Sequence, residues 1–343
     1  MRAVREASPA HAYLFLGLEG TGKLTTALEF ARALNCERDR DGHACGECAL
    51  CKSVDHGNFP DLRVWAPAGQ DTKIEQMREM RETASFAPLR GTWKVNIIEQ
   101  GDTLNEESAS CILKLLEEPP PYLVNILLYR NAANVLPTIR SRCQLVRFTQ
   151  VDADTLASRL AEDFGAEPSE AEFLATYSQG RPGIAIRLVG NEEFRARRAA
   201  VLGAASATAS GNPWLALKLA EAIRSSASFQ EPAEEEETPA EEEVWSPKRR
   251  GSARNSTFEG LDILLTWYRD LLAVKLGGEQ APLVNLDRRD EVTRRAASYP
   301  SARRILDALD AILLARRGLL GNANAQIATE AMMMRLIGAN SPN

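Results

Sequence analysis

Gly17-Leu18-Glu19-Gly20-Thr21-Gly22-Lys23-Leu24-Thr25 follows the apolar run Ala12-Tyr13-Leu14-Phe15-Leu16 and opens a helical stretch, Leu24–Leu34. A loop G-x-x-x-x-G-K-[ST] between a strand and a helix cradles phosphates with backbone N–H groups, reaches the outer phosphates with lysine and ligates magnesium with a hydroxyl. Here Leu24 stands where the hydroxyl belongs. Gly17, Gly20, Gly22 and Lys23, with Thr25 as a stand-in hydroxyl, are the candidate nucleotide-binding residues. The alternative is a glycine turn kept only for strand-to-helix packing.

From this loop outward, strands are expected at Ala12–Leu16, Leu62–Trp65, Lys94–Ile98, Val124–Tyr129 and Gln144–Phe148, alternating with helices at Leu24–Leu34, Ile74–Ser85 and Asn105–Glu117. Such alternation implies a parallel sheet covered on both faces. Thr72…Glu75 and Thr103…Glu106 read as capping boxes, and Pro119, Pro120 and Pro121 stop the third helix. After Phe148 the strand signal ends. Ala153–Asp163, Glu170–Gln179 and Gly183–Val189 read as a small helical unit, and Trp214–Ser225, Leu261–Leu276 and Ile305–Leu320 belong to a third. The expected division is 1–149, 150–205 and 206–343, with a disordered acidic insertion at 230–256. A regulatory docking tail is the other reading of that charge run.

The chain has 343 residues, enough for two or three domains, and 47 acidic against 41 basic residues. That balance argues against a protein held on nucleic acid by charge alone. No apolar run reaches the ~18 residues that span a bilayer, and nothing near the N-terminus resembles a secretion signal, so no membrane role and a cytoplasmic location are expected.

Cys36, Cys45, Cys48 and Cys51 form C-x8-C-x2-C-x2-C, and four thiolates at such spacing suit a closed tetrahedral zinc site that adds folding energy without catalysis. The zinc module is expected over 36–51, with His43 as a solvated loop residue or a substitute ligand. Cys111 and Cys143 read as small buried hydrophobes. Around the cysteines only Arg38, Arg40 and Lys52 are basic and no aromatic intervenes, which disfavours a freestanding nucleic-acid-binding zinc protein.

Lys94-Val95-Asn96-Ile97-Ile98 ends in Glu99-Gln100, where a working ATPase of this kind carries Asp to hold the magnesium shell and Glu to activate water. Gln cannot take a proton from water, and Glu99 is one methylene longer than the metal site expects. In Leu136-Pro137-Thr138-Ile139-Arg140-Ser141-Arg142-Cys143, an arginine at the end of a short helix can serve a neighbour's γ-phosphate or make a surface ion pair.

His11-Ala12-Tyr13-Leu14-Phe15, the phosphate loop, the cysteine module, Ile112–Pro120, Leu136–Cys143, Trp267–Leu272 and Asn322-Ala323-Asn324 together resemble the bacterial DNA polymerase III clamp-loader subunits of delta-prime type, in the AAA+ superfamily. The resemblance implies an AAA+ parallel-sheet domain with a zinc module, a helical lid and an all-α collar. It implies a stator with no independent catalysis, in a hetero-pentamer with gamma/tau and delta subunits that places the sliding clamp on primer-template DNA. Ser141-Arg142-Cys143 matches the motif whose arginine, Arg142 here, completes a neighbouring ATP site in trans. Compared with the family, the chain reaches His11 almost at once, so the wall that contacts adenine is expected to be missing. Ile184 stands where active relatives carry a nucleotide-sensing arginine, with Arg181 three positions early. ATP with magnesium stays open as a ligand, with Leu24, Gln100 and Ile184 counting against it. A gamma/tau-type ATPase is the alternative, and it predicts a hydroxyl at 24 and an Asp-Glu pair at 99 and 100.

Overall fold

The computed structural model describes residues 2–6, 8–38, 41–67, 74–208, 212, 214–224, 253–278 and 280–340. They divide into two compact units, one formed by Met1–Val151 with Arg181–Ile184, the other by Asp152–Gly180 and the described residues from Ala185 on.

The first unit runs α1 (Arg2–Arg5), β1 (Ala12–Leu16), α2 (Lys23–Leu34), α3 (Ala49–Asp55), β2 (Leu62–Trp65), α4 (Ile74–Ala84), β3 (Lys94–Ile98), α5 (Glu106–Glu117), β4 (Leu123–Tyr129), α6 (Pro137–Arg140) and β5 (Gln144–Arg147). All strand pairs are parallel, in the order β2-β3-β4-β1-β5. Central β4 is buried along its whole length, as befits a strand covered on both faces. Alternation within β1 sends Leu14 into a core with Met77, Met80, Ile112 and Ile139, and Tyr13 and Phe15 into another with Ala27, Phe30 and Ile97. Each core therefore binds one helical layer to the sheet. One buried cross-strand pair is polar on both sides: Asn96 faces Asn125, and Asn96 Oδ1 accepts from Trp65 Nε1 at 3.2 Å. Cys111 and Cys143 pack on the first core, and burial pushes the Cys143 thiol up to about 12.

Register brings Leu16, Ile98 and Tyr129 to the carboxyl edge of the sheet. Everything that follows them converges there, the usual position of ligand sites in open parallel sheets.

One local expectation needs correction. The cap of α5 is Asn105, whose Oδ1 accepts from Ser108 N–H at 2.8 Å, while Thr103 Oγ1 donates instead to Gln100 O at 2.8 Å. Thr103…Glu106 is thus no capping box, because Asn105 lies nearer the helix and is itself a strong cap. Thr72, of the other expected box, lies outside the described residues.

The second unit is helical: α7 (Ala153–Phe164), α8 (Pro168–Tyr177), α9 (Pro182–Leu188, whose first turn groups with the first unit), α10 (Glu192–Ala207), α11 (Leu215–Arg224), α12 (Ala253–Gly277), α13 (Arg289–Ser298), α14 (Ala302–Leu320) and α15 (Ala325–Asn340). Helix α10 runs through the expected boundary at 205, and α12 begins inside the expected insertion 230–256, the rest of which lies outside the described residues. Buried charges fasten this unit. Arg198 is bidentate to Asp287 (2.7 and 2.8 Å), bonds Asn285 Oδ1 at 2.7 Å and lies 4.0 Å over the Phe173 ring. Asp270, fully buried, accepts from the N–H groups of Val284 and Asn285, from Asn285 Nδ2 and from Arg269. Among the described residues no helix is long and apolar enough to cross a membrane.

Candidate functional site

The phosphate loop leaves β1 through Gly17, whose N–H bonds Tyr129 O at 3.1 Å. A β-carbon on Gly17 would lie 2.3 Å from Phe148 O, so this close approach excludes any larger residue. Gly20 and Gly22 turn the chain at φ 82° and 88°, which glycine adopts without steric cost. Lys23 Nζ, which would reach a phosphate, folds back on the loop's own carbonyls, donating to Gly17 O at 2.5 Å and Leu18 O at 2.7 Å. Burial lowers its pKa, and Arg130 adds to the effect. Leu24 packs into the second core with Ala27 and Phe30. Thr25 is exposed and borders a cavity of about 510 Å³ with Leu28, Arg32, Phe59 and Trp65.

Three contacts at this edge are invisible to motif reading. Glu19, inside the loop, pairs with Arg130 at the exit of β4, 2.9 Å apart. Asp102 accepts from the N–H groups of Arg130 (2.6 Å) and Asn131 (3.3 Å) and from Asn134 Nδ2 (3.1 Å), which fastens the β4 exit to the segment after β3. Ile184 rests on Gly20: Gly183 N–H donates to Gly20 O at 2.8 Å, and a β-carbon on Gly20 would lie 2.6 Å from Ile184 Cγ1. Position 184 therefore delivers an apolar side chain to the loop. Glu99 is half-buried beside this cluster, its N–H on Trp65 O at 2.9 Å; burial raises its carboxyl pKa, and Glu19 raises it further. Gln100 takes the left-handed conformation, φ 56°, and its carbonyl accepts from Thr103. The arrangement holds the loop through its own residues and presents neither a hydroxyl at 24 nor an Asp-Glu pair at 99 and 100.

Arg142 follows the one-turn helix α6, which proline opens at its first position. Nη1 donates to Thr138 O at 3.1 Å and Ser141 Oγ at 3.3 Å, and Nη2 to Glu117 Oε1 at 2.8 Å. Its side chain keeps 35% of its area exposed.

The Sγ atoms of Cys36, Cys45, Cys48 and Cys51 lie within 4.8 Å of one another, and Cys45 and Cys51 are 3.8 Å apart. Tetrahedral bonds of about 2.3 Å to zinc place sulfurs roughly 3.8 Å apart, so the set can hold a metal ion. Backbone N–H groups aim at the sulfurs: Cys45 N at Cys36 Sγ, Glu47 N and Cys48 N at Cys45 Sγ, and Cys51 N at Cys48 Sγ, all 3.3–3.4 Å. The donors on Cys45 lower its thiol to about 6, whereas burial pushes Cys51 up to about 12. All four are free of disulfides, and exposed His43 is outside the cluster.

A five-stranded parallel sheet with a phosphate loop after β1, followed by a helical unit, defines an AAA+ class protein. Residues 1–152 match the family described as DNA polymerase III, delta subunit, and residues 252–337 match DNA polymerase III, delta subunit, C terminal. Similarity to the DNA polymerase III subunit delta' of Bacillus subtilis is 29% identity over 95% of this chain and 91% of that protein. The subunit delta' of Pseudomonas aeruginosa is 35% identical over 57% of this chain and 60% of its own length. Subunit tau of Bacillus subtilis is 34% identical, but over 50% of this chain and 31% of its own. The chain is thus similar to a DNA polymerase III delta-prime subunit along nearly its whole length.

Proposed function

We propose that this chain is the stator of a clamp loader: it assembles with gamma/tau and delta subunits in a hetero-pentamer that opens a sliding clamp and sets it on primer-template DNA. The carrying observation is the similarity to a delta-prime subunit along nearly the whole chain, where tau matches only half. In this reading Arg142 is the finger that completes the ATP site of the adjacent gamma/tau subunit. Gly17, Gly20, Gly22, Lys23 and Thr25 form a vestigial nucleotide site that contributes no hydrolysis, consistent with Lys23 on its own loop's carbonyls and Ile184 on Gly20. The cysteine cluster holds structural zinc, with backbone N–H groups supporting thiolates. The domains are assigned as 1–149, 150–205 and 206–343, and the complex works in the cytoplasm.

Reconstitution with the gamma/tau and delta partners tests the reading. Arg142→Ala assembles but loses DNA-stimulated ATP turnover by ~10-fold or more; unchanged turnover removes the finger. A gamma/tau-type ATPase would instead hydrolyse ATP as the isolated chain.

A further inference from the structure

Glu117 is the last residue of α5, and among the described residues its carboxylate is the one that pairs with the Arg142 guanidinium. The other two contacts of that guanidinium, Thr138 O and Ser141 Oγ, come from the turn that carries Arg142 itself. Those two fix where the fork starts. Glu117 alone comes from another element, and α5 is rooted in the first core through Ile112, Leu115 and Leu116. The carboxylate therefore has a fixed address, whereas the arginine is at the end of a one-turn helix.

A carboxylate 2.8 Å from Nη2 uses the same donor and the same charge that a phosphate oxygen would. A guanidinium so paired is close to neutral as seen from a partner's γ-phosphate, and two anions cannot share one N–H. The pair is half-exposed, with side-chain exposures of 35% and 51%, so its strength is modest and exchange against a phosphate is reachable. A buried pair would hold the finger permanently, and an absent one would leave it to wander.

We propose that Glu117 is a positioning residue that parks Arg142: it holds the guanidinium beside α5 until a partner's phosphate displaces it, and so sets how readily the finger engages. The proposal rests on the assignment of Arg142 as a finger.

The test is steady-state ATP hydrolysis by the loader reconstituted from this chain and its gamma/tau and delta partners, over a range of ATP concentrations. Glu117→Gln keeps the shape and an acceptor but removes the charge, and the apparent KM for ATP falls ~2- to 5-fold, the weight of an exposed ion pair. Glu117→Asp keeps the charge and moves the KM back toward the parent value. In an Arg142→Ala background the Glu117→Gln effect disappears, because the residue acts only through the arginine. Loss of turnover in Arg142→Ala together with an unmoved or raised KM in Glu117→Gln overturns the parking role and leaves the finger standing. Normal turnover in Arg142→Ala overturns the finger itself. Persistence of the Glu117→Gln effect without Arg142 shows a structural role for Glu117 and also overturns the proposal.

Discussion

Ile184 covers Gly20. The residue at which a phosphate loop turns at φ 82° has an isoleucine where its own β-carbon would point, with 2.6 Å between Cγ1 and that position. Gly20→Ala must strain the backbone and push Ile184 aside at once. A loss of ~1–3 kcal/mol is expected, read from denaturant unfolding of the purified chain. A midpoint equal to the parent's would mean that the contact is not maintained in solution.

Nucleotide affinity should respond to the cover before it responds to the lysine. Lys23 is engaged with Gly17 O and Leu18 O, so Lys23→Ala changes ATP binding by less than ~2-fold if the site is vestigial, whereas a working phosphate loop loses most of its affinity. Isothermal titration with and without magnesium separates the two. Strong, magnesium-dependent binding by the parent chain would contradict the vestigial reading.

Metal analysis is expected to find about one zinc per chain, matching one four-thiolate site. Cys48 and Cys51 are the buried pair, and Cys48 also caps α3, accepting from Cys51 N–H at 3.3 Å. Cys48→Ala therefore loses both metal and helix cap. Its thermal midpoint drops further than the parent's does on chelation, and an equal drop would show that the cap contributes nothing separate. Since thiols must shed their protons to bind metal as thiolates, acidification releases the metal.

Glu99 gives a pH-dependent stability with a definite sign. Burial raises its carboxyl pKa above the unfolded value, so between the two values the folded state binds more protons than the unfolded state, and stability falls as pH rises through that window. At neutral pH the ionised, half-buried carboxylate is a net cost. Glu99→Gln should raise the melting temperature at pH 7 by ~1–3 °C, allowing for solvent screening, and should give no gain at pH 4. Destabilisation at pH 7 would reveal that Glu99 is held by a favourable partner.

Asp270 ties the Trp267–Leu272 stretch of α12 to the segment that carries Val284 and Asn285. Its carboxylate is fully buried and satisfies the N–H groups of Val284 and Asn285 together with the Arg269 guanidinium. Asp270→Ala leaves those donors without an acceptor, and ~3–5 kcal/mol of stability should go with it. Circular dichroism melts decide the matter, and a loss below ~1 kcal/mol would place the loop's support elsewhere.

The strands were legible because each is a short, almost unbroken apolar run, and Ala12–Leu16, Leu62–Trp65 and Lys94–Ile98 appear with the expected bounds. Paired cysteine spacings announce a cluster for the same reason, since turns alone bring them together. The contacts that decide the state of the loop were not legible. Glu19 with Arg130 and Ile184 with Gly20 join residues far apart in the chain, and no periodicity encodes them. The Asn105 cap was missed because Thr103 and Glu106 satisfy a four-residue pattern that ignores which polar residue stands closest to the first turn. Helix α10 was missed altogether. It begins after an asparagine cap, Asn191 accepting from Phe194 N–H at 3.0 Å, and buried Arg197 and Arg198 interrupt its apolar face.

Helix α2 is flanked by Gly22 at its N-cap and by Asn35 at its C-cap, the residue before Cys36. A single twelve-residue rod therefore runs from the phosphate loop to the sulfur cluster. Whatever holds the four sulfurs together therefore also anchors the far end of the helix that the phosphate loop opens.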